Sequence, residues 1–316
     1  MKAKLSILIP NYNHAQYLRE ALDSILQLRE YLQEIVICDD ASTDSSWEIL
    51  TEYQKQNSCI RLLRNEKNLG AMNNFLKLLK EAKGKYVMIH AADDFWIAPH
   101  MKILLEALAQ DCENLNAMYC GRNVYFNEDT GLKYTIPADF PSGVLPAGSV
   151  ANYHRRVPWG PAGTIVRTDL YRDLYEKLLP TGCYYDRFLE LIVAQKYPIF
   201  FLNHETACTR CTATNFSKIS KNLKQQGKAF SHFFGMLQRQ YQDLYASMRR
   251  SNQFADYEGM FLFLLLHPSV WDRHTPGIVI KLIPYCFYRK LRYGILSSMI
   301  PVSWKRKYHT LLKKDL

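Results

Sequence analysis

The sequence predicts an α/β fold in which helices flank a mostly parallel sheet. Within the first 110 residues, a short apolar strand is followed four times by a polar loop and an amphipathic helix. Strands joined by such helical crossovers lie parallel in one sheet and connect with right-handed geometry. The polar loops are therefore expected together at the edge where the carboxyl ends of the strands lie and where ligands bind.

Each predicted strand is a run of apolar, often β-branched residues, and each helix has apolar residues three and four positions apart. The strands are Leu5–Ile9, Glu34–Cys38, Ile60–Leu63 and Tyr86–Ile89. The helices after them cover residues 15–29, a stretch that ends near Gln56, residues 71–82 and residues 99–109. The loops between strand and helix contain Pro10, Asn11, Tyr12, Asp39, Asp40, Asn68, Gly70, Asp93 and Asp94.

Asp93 and Asp94 follow the fourth strand closely, after a short turn. Two adjacent carboxylates repel each other unless a cation or a hydrogen-bonding ligand compensates. Taken alone, such a pair is more often a solvated turn that precedes an N-capped helix. The other polar loops at the same edge favour a ligand site instead. The sequence has no Gly-x-Gly-x-x-Gly after its first strand and no Gly-Lys-Ser/Thr loop, which argues against two common nucleotide sites.

Beyond residue 110 the pattern of the sequence changes. The segments Asn116–Phe126 and Leu132–Ile136 are predicted strands joined by a hairpin turn. A loop rich in Pro and Gly then covers residues 137–163, and loops of that length are usually functional or mobile. The remaining predicted elements are helices near 168–179 and 187–196, a strand Ile199–Leu202, and a flexible, basic tract from Thr209 to Lys228.

The formal net charge of +10 is concentrated at the carboxyl end of the chain. Residues 273–316 contain ten Lys/Arg and one acidic residue, whereas residues 1–272 contain 30 Lys/Arg and 29 acidic residues. No nucleic-acid partner is expected, because the body of the chain lacks a matching basic groove. Short apolar stretches with basic rims in this region fit helices that lie on an anionic membrane surface. A helical subdomain packed on the core is the alternative.

Cysteine usage and the length of the apolar runs favour a cytoplasmic location. The eight cysteines are scattered, and only Cys208 and Cys211 have the spacing of a metal or redox pair, without a second pair. The apolar run Leu5–Pro10 is too short for a signal peptide. No apolar run approaches the ~20 residues that a membrane-spanning helix needs. We therefore expect a protein that is peripheral on the inner face of the cell membrane.

The strand-end segments together resemble the inverting nucleotide-sugar glycosyltransferases of family 2, which have the GT-A fold. The resemblance is carried by Ser6-Ile-Leu-Ile-Pro-Asn-Tyr-Asn13, Glu34-Ile-Val-Ile-Cys-Asp-Asp-Ala-Ser-Thr-Asp44, Arg64-Asn-Glu-Lys-Asn-Leu-Gly70 and Tyr86-Val-Met-Ile-His-Ala-Ala-Asp-Asp94. Four segments in the family's order make a specific match over about the first hundred residues. The resemblance thins beyond residue 110.

The resemblance implies a role for each of these loops. Tyr12 would stack on the uracil ring, and Asp39 would accept a hydrogen bond from the base. Asp93 and Asp94 look like the family's Asp-x-Asp element, in which Asp94 would be the main ligand of Mg²⁺ or Mn²⁺ and Asp93 would contact both nucleotide and metal. The nucleotide-binding residues implied in this way are Pro10, Asn11, Tyr12, Asp39, Asn68, Gly70, Asp93 and Arg210.

The sequence departs from the family pattern at two places. Ala91 stands where many members have another Asp, and Thr209-Arg-Cys-Thr212 resembles a Tyr-Arg-x-His segment without its His. The family also places a general base just before an Asp-x-x-Leu-x-Leu-like helix. Tyr185-Asp-Arg-Phe-Leu-Glu-Leu191 is similar, so Asp186 is the implied base, with a helix N-cap as its alternative role.

The resemblance therefore implies a GT-A domain over residues 1–220, with a nucleotide-binding half (1–110) and an acceptor half (111–220). Residues 221–316 would be a helical, basic region at the membrane interface. The expected function is metal-dependent, inverting transfer of a sugar from a UDP-sugar to a cell-surface glycan or a lipid-linked acceptor. The alternative is a nucleotide-sugar-binding subunit with little or no transfer activity, which would not need the base Asp186.

Overall fold

The computed structural model of the chain describes residues 4–138, 140–152, 158–179, 185–211, 232–233 and 235–250. The chain divides into two compact units, Met1–Ser251 and Asn252–Leu316, and every described residue belongs to the first. The expected boundary at residue 220 and the basic segment 273–316 both lie outside the described residues. The division at residue 220 and the membrane-interfacial helices therefore stay predictions.

The described elements alternate between strand and helix through the first 110 residues. The strands are β1 (Leu5–Asn11), β2 (Glu34–Asp39), β3 (Ile60–Arg64), β4 (Tyr86–Ile89), β5 (Phe95–Trp96), β6 (Met118–Asn127), β7 (Leu132–Thr135), β8 (Gly143–Leu145), β9 (Thr164–Arg167) and β10 (Ile199–Cys211). The helices are α1 (Ala15–Leu26), α2 (Ser46–Gln56), α3 (Ala71–Glu81), α4 (Ala98–Gln110), α5 (Thr168–Leu178), α6 (Tyr185–Lys196) and α7 (Gln242–Arg250).

All described strands belong to one sheet, in the order β3-β2-β1-β4-β9-β6-β10-β5, with β7 beside β6 and β8 beside β10. β1 pairs in parallel with both β2 and β4, and β2 pairs in parallel with β3. The parallel sheet flanked by helices that the repeat predicts is therefore confirmed. Because the four strands run in one direction, the loops that follow them lie at the same edge.

Three strands of the second half differ from the sequence-based expectation. β8 lies within the predicted loop 137–163 and pairs with β10. β9 is placed in the predicted loop-to-helix transition, and it runs antiparallel between β4 and β6. β10 has 13 residues rather than the four predicted, and it continues in parallel pairing with β6 up to Cys211. Its register shifts twice, between Leu202 and Glu205 and between Glu205 and Ala207, which interrupts the alternation by which a strand is recognised. The tract from Thr209 is therefore not flexible at its start.

The core that supports this edge lies between the sheet and helices α1 and α4. Leu18, Leu22 and Ile25 of α1 are fully buried and pack against Ile7 and Ile9 of β1 in one apolar cluster. Burial of side chains of this size stabilises a fold by about 1.5–3 kcal/mol each. This packing fixes α1 to β1 and so fixes both ends of the polar loop between them.

Candidate active site

The ends of β1 and β2 are connected by hydrogen bonds among Asn11, Asp39 and Ser42. The Asn11 amide donates to Asp39 Oδ1 at 2.8 Å and to the Ser42 hydroxyl at 3.2 Å. Ser42 donates to the same carboxylate from its backbone N–H (3.1 Å) and its hydroxyl (2.5 Å). Asn11 and Asp39 are buried, and Asn11 Oδ1 accepts no hydrogen bond within the described part of the chain. An unpaired buried acceptor is costly, so this atom is suited to a ligand N–H.

A cavity of about 370 Å³ opens beside this cluster and is lined by Ser42, Arg64 and Asn65, among others. Arg64 Nε lies 3.5 Å from Asp39 Oδ2, and its guanidinium lies over the Trp47 ring at 4.6 Å from the ring centroid. Tyr12 is 41% exposed, so it is accessible to a ligand at this edge. The structure thus brings the predicted Asn11, Tyr12 and Asp39 to one loop cluster.

Asp40 fixes the loop that follows β3. Its Oδ1 accepts hydrogen bonds from the Leu69 N–H at 2.9 Å and from the Asn65 amide at 2.8 Å. The Gly70 N–H donates to two oxygens, Asp40 Oδ2 at 2.9 Å and Asn68 Oδ1 at 2.8 Å. Gly70 has φ 81° and ψ 155°, a conformation that is essentially restricted to glycine, and it caps α3. Asn68 and Gly70 therefore shape the loop at the amino end of α3.

Asp93 and Asp94 are both buried at the end of the segment that follows β4. Asp94 Oδ1 accepts the Arg210 backbone N–H at 2.9 Å, and Oδ2 accepts the Thr209 hydroxyl at 3.3 Å. No described side chain donates a hydrogen bond to the Asp93 carboxylate, although the charges of His14 and Arg210 act on it. Burial raises the pKa of both carboxyls, and the charge of Asp93 raises the pKa of Asp94 further. The hydrogen bonds to Asp94 and the charges of His14 and Arg210 therefore compensate the buried pair only in part.

Arg210 connects the Asp93–Asp94 segment to two distant parts of the chain. Its Nε donates to the Asp93 carbonyl at 3.0 Å, Nη1 donates to Glu128 at 3.1 Å, and Nη2 donates to Glu20 of α1. The guanidinium also lies within 6 Å of the ring centroids of Tyr17, Phe95 and Phe126. With 6% of its surface exposed, Arg210 holds the segment in place. Its expected contact with the nucleotide stays a prediction.

The residues at this edge fit a hard divalent cation. Carboxylate oxygens are the ligands that Mg²⁺ and Mn²⁺ prefer, and a cation would offset the charge of two buried neighbouring carboxylates. The Asp93 carboxylate has the larger free acceptor capacity, because both Asp94 oxygens already accept protein hydrogen bonds. No group of three or more His, Cys, Asp or Glu side chains within the described residues could hold a metal. The remaining ligands would therefore come from a diphosphate and water, as the family resemblance implies.

Asp186 is the second residue of α6 and lies in its first turn, rather than at the N-cap. It is half-buried and lies near Tyr175, whose phenol pKa is raised by burial and then by the charge of Asp186. The Tyr175 hydroxyl donates to the Met72 carbonyl at 2.8 Å. Met72 lies two residues beyond Gly70, so these contacts place Asp186 on the side of the molecule where α3 begins.

Glu190, one helical turn beyond Asp186, is a different kind of acid. It is 2% exposed and forms an ion pair with Arg187 at 3.3 Å. Burial raises the pKa of Glu190 to about 7, while the charge of Arg187 acts in the opposite direction. A base must reach the acceptor hydroxyl. Asp186 is more exposed and is therefore the better candidate for the general base. Glu190 lies on the buried side of α6 and is part of its packing.

Several residues of the site carry no sequence signal of their own. Glu20 lies on a helix and Glu128 lies in a turn, where an acid usually means a solvated surface. The partners of Arg210 are 190 and 82 residues away in the chain, so no local motif connects them. His14 interacts electrostatically with Asp93, but in the sequence it is only the residue that directly precedes helix α1.

A second cavity lies away from these residues. It has a volume of about 560 Å³ and is lined by Gly84, Lys85, Arg167 and Thr168, among others. These residues surround the amino end of β4, whereas Asp93 and Asp94 follow its carboxyl end. None of the predicted site residues lines this cavity. A search for the binding site by cavity volume alone would therefore choose the edge of the sheet opposite to the predicted site.

Comparison with known families finds a match in the first half of the chain. Residues 6–155 match the model of glycosyl transferase family 2. Over these residues, slightly less than half of its length, the chain is similar to this family. The match includes the loops after β1, β2, β3 and β4, and it ends before α6.

Curated relatives share the first part of the chain. The putative teichuronic acid biosynthesis glycosyltransferase TuaG of Bacillus subtilis is 32% identical over 34% of this chain and 43% of its own length. WfgD of Escherichia coli, a UDP-Glc:alpha-D-GlcNAc-diphosphoundecaprenol beta-1,3-glucosyltransferase, is 28% identical over 42% of this chain and 51% of its own length. The chain spans about 28–51% of the length of the curated relatives that it matches.

Solved structures extend the likeness to most of the chain. S. aureus TarS 1–349 in complex with UDP has a TM-score of 0.54 and 18% identity, covering 93% of this chain and 92% of that one. The mannosyltransferase PcManGT from Pyrobaculum calidifontis, in complex with GDP-Man and Mn²⁺, has a TM-score of 0.54 and 15% identity, covering 92% and 83%. The expected GT-A fold is confirmed.

Among the described residues, no helix combines the length and the apolar character that crossing a bilayer requires.

Proposed function

We propose that the chain is a metal-dependent, inverting glycosyltransferase that moves a hexose or N-acetylhexosamine from a UDP-sugar to a cell-surface glycan or a lipid-linked acceptor. The observation that carries this proposal is the buried and only partly compensated pair Asp93 and Asp94, at the sheet edge that also holds Asn11, Tyr12 and Asp39. The names of TuaG and WfgD support the acceptor class. The UDP in TarS and the Mn²⁺ in PcManGT support the donor and the metal.

The donor nucleotide is recognised by the loops after β1 and β2. Tyr12 is accessible at this edge, and its ring would stack on the uracil ring. Asn11 Oδ1 and the remaining lone pairs of Asp39 accept hydrogen bonds from the base, because an ionised carboxylate has about four acceptor positions. Pro10 lies in β1 directly before Asn11, at the carboxyl end of the strand where the nucleotide would bind. Asn68, Gly70 and the amino end of α3 lie where a diphosphate would meet backbone N–H groups.

Asp93 and Asp94 would hold Mg²⁺ or Mn²⁺, which when bound would supply Lewis-acid stabilisation of the departing diphosphate. Arg210 and Thr209 keep the two carboxylates in place from β10. Asp93, whose carboxylate accepts no hydrogen bond from a described side chain, would contact both the metal and the nucleotide. In this proposal Asp93 and Asp94 suffice to bind the donor, although this chain has Ala91 where many family members have another Asp.

Asp186 accepts the proton of the acceptor hydroxyl as that oxygen attacks the anomeric carbon. A bond forms between the acceptor oxygen and the anomeric carbon, and the bond from that carbon to the diphosphate breaks. The proton goes to the Asp186 carboxylate and UDP leaves with the electron pair. Because attack and departure occur on opposite faces, the configuration of the sugar is inverted.

The acceptor is presented at the cytoplasmic leaflet, where the basic segment 273–316 meets anionic lipid.

The experiment compares release of UDP from UDP-sugars in Mn²⁺ by the wild-type chain and by Asp186→Asn. General-base catalysis contributes about 10²–10⁴-fold, so Asp186→Asn is expected to lose at least about a hundredfold in rate while its donor KM stays unchanged. Asp173→Asn, on the exposed face of α5, is the matched control and is expected to keep the wild-type rate. Equal rates for Asp186→Asn and wild type would show that Asp186 is not the base. Donor binding without turnover in the wild type would support a nucleotide-sugar-binding subunit.

A further inference from the structure

A buried ion pair lies at the start of α6, directly after the proposed base Asp186. Arg187 Nη1 lies 3.3 Å from Glu190 Oε2, and the two side chains are 11% and 3% exposed. Burial removes the hydration of both charges, so an apolar pair of similar volume is often as stable as a buried ion pair, or more stable. Stability alone therefore gives little reason for this pair, and a role in fixing geometry is the alternative.

Arg187 attaches the first turn of α6 to the segment that leads into β9. Its Nη2 donates to the Trp159 carbonyl at 3.0 Å. Trp159 is fully buried, and the carbonyl of Pro158 before it accepts the Asn123 N–H of β6 at 3.0 Å. The start of α6 is therefore held to the sheet through a short, buried connection.

This connection also affects where Asp186 lies relative to the proposed metal-binding carboxylates. β9 pairs with β4, and β4 leads into Asp93 and Asp94. The contact of Arg187 with Trp159 is therefore part of the structure that spaces the base from the metal site. A misplacement of about 1 Å can lower the rate of a reaction about a hundredfold.

The charge of Glu190 determines how firmly Arg187 is held. The Trp159 indole and the Thr164 hydroxyl also lie beside the Glu190 carboxylate and stabilise its charge. Among the described residues, however, neither Glu190 Oε2 nor Trp159 Nε1 makes a hydrogen bond of regular geometry. Charge-assisted hydrogen bonds are roughly twice as strong as neutral ones, so these contacts strengthen when Glu190 is ionised.

Glu190 changes its charge near neutral pH. Burial raises the pKa of Glu190 to about 7, against the opposing charge of Arg187 and with a smaller contribution from Asp186. On β6, the buried Cys120 thiol interacts with the same pair, whereas Tyr175 of α5 interacts with Asp186. Glu190 is therefore mostly neutral near pH 6 and mostly ionised near pH 8.

We propose that Glu190 is a positioning residue for the base: through Arg187 it holds the first turn of α6 against Trp159 and so aligns Asp186 with the acceptor hydroxyl. This inference rests on the proposed glycosyltransferase function and adds to it a residue that does not touch the substrate. A purely structural residue affects stability alone. A positioning residue lowers kcat in the folded enzyme and leaves the donor KM unchanged.

The kinetic test compares the full-length wild type with Glu190→Gln, which keeps the size of the neutral acid, and with Glu176→Gln, an exposed control on α5. UDP release from UDP-sugars in Mn²⁺ gives kcat and donor KM between about pH 6 and pH 8, and circular dichroism shows whether each variant is folded. At pH 8, we expect Glu190→Gln to have a kcat about tenfold lower and a donor KM within about twofold of wild type. The wild-type kcat should rise about tenfold from pH 6 to pH 8 in a step that Glu190→Gln lacks, and Glu176→Gln should follow wild type.

Arg187→Gln and the double variant test whether Glu190 acts through Arg187. The double variant should have a kcat within about twofold of Arg187→Gln alone, because residues that act as a unit give non-additive losses. Losses that multiply would overturn the inference. A Glu190→Gln kcat within about twofold of wild type at pH 8, or a donor KM that rises as much as kcat falls, would also overturn it.

A second measurement does not depend on turnover. The NMR signal of the Trp159 indole N–H, one of five in the chain, is identified by its loss in Trp159→Phe. It should shift with a midpoint near pH 7 in the wild type and stay constant in Glu190→Gln. No shift in the wild type would overturn the contact on which the positioning role depends. A shift without any UDP release would instead contradict the proposed enzymatic function, so the two failures are distinguishable.

Discussion

Replacing Arg210 by Gln should destabilise the chain far more than loss of an ordinary surface arginine. The substitution removes the hydrogen bonds from Nε to Asp93 (3.0 Å) and from Nη1 to Glu128 (3.1 Å), together with the Nη2 bond to Glu20. Charge-assisted hydrogen bonds contribute roughly 1.5–3 kcal/mol each where they are shielded from water. The Glu20 and Glu128 side chains are 55% and 38% exposed, so water recovers much of this. We expect a loss of about 2–4 kcal/mol.

Thermal unfolding measured by circular dichroism in metal-free buffer tests this magnitude. For a domain of this size, about 2–4 kcal/mol corresponds to a decrease in Tm of roughly 5–15 °C. Arg19→Gln is the matched control, because the Arg19–Glu52 pair at 2.7 Å is about half exposed at both ends. Such pairs contribute up to about 1 kcal/mol, which predicts a decrease in Tm of about 1–3 °C.

A second measurement separates stability from function. UDP release in Mn²⁺ is expected to fall at least about tenfold in Arg210→Gln at a temperature where the variant is folded, because the guanidinium holds the Asp93 carbonyl in place. Arg210→Lys, which keeps a charge but not the three-way geometry, should lie between the variant and wild type. If Arg210→Gln unfolds within about 2 °C of Arg19→Gln, the claim that Arg210 anchors the segment is wrong.

Two further substitutions test the packing around the site. Burial raises the pKa of Glu190 to about 7, above its unfolded value, so the folded state binds the extra proton and stability is lost as pH rises. Between pH 5 and pH 8, the free energy of unfolding measured by urea denaturation should decrease by roughly 3 kcal/mol more for the wild type than for Glu190→Gln. The control Glu176→Gln should show the same pH dependence as the wild type. Parallel curves for the wild type and Glu190→Gln would refute the raised pKa of Glu190. Gly70→Ala forces φ 81° on a residue with a Cβ, which costs about 1–3 kcal/mol and should raise the donor KM. Gly148→Ala, at φ 76°, should lose stability with an unchanged donor KM, and equal KM values for both variants would contradict a role for the Gly70 loop.

The parallel half of the fold could be predicted because its signals are local. Each of β1 to β4 is a short, mostly apolar run that ends in polar or turn-forming residues, and a helix is the next long element, with only the two-residue strand β5 between β4 and α4. β9 and the extension of β10 escape such reasoning, because β9 is a four-residue strand held antiparallel between two strands that come from other parts of the chain. Only the folded sheet brings these segments together.

The candidate site divides in the same way. Asn11, Tyr12 and Asp39 could be placed at one edge from topology alone, and the hydrogen bond from Asn11 to Asp39 agrees with that placement. The environment of Arg210 could not be predicted, because its acidic partners lie on a helix and in a turn that have no motif. The same limit applies to Glu190, whose raised pKa follows from burial that the helical pattern does not reveal.

UDP release from a panel of UDP-sugars by the purified full-length chain, with and without Mn²⁺, tests the central claim most directly. We predict turnover with at least one UDP-sugar that requires the metal, disappears with chelator, and is lost in Asp93→Asn. UDP with Mn²⁺ at about a hundred times its Kd should also stabilise the wild type by about 2.7 kcal/mol. Neither turnover nor metal-dependent stabilisation by UDP, or equal turnover in Asp93→Asn, would contradict the assignment of a metal-dependent UDP-sugar site to this edge of the sheet.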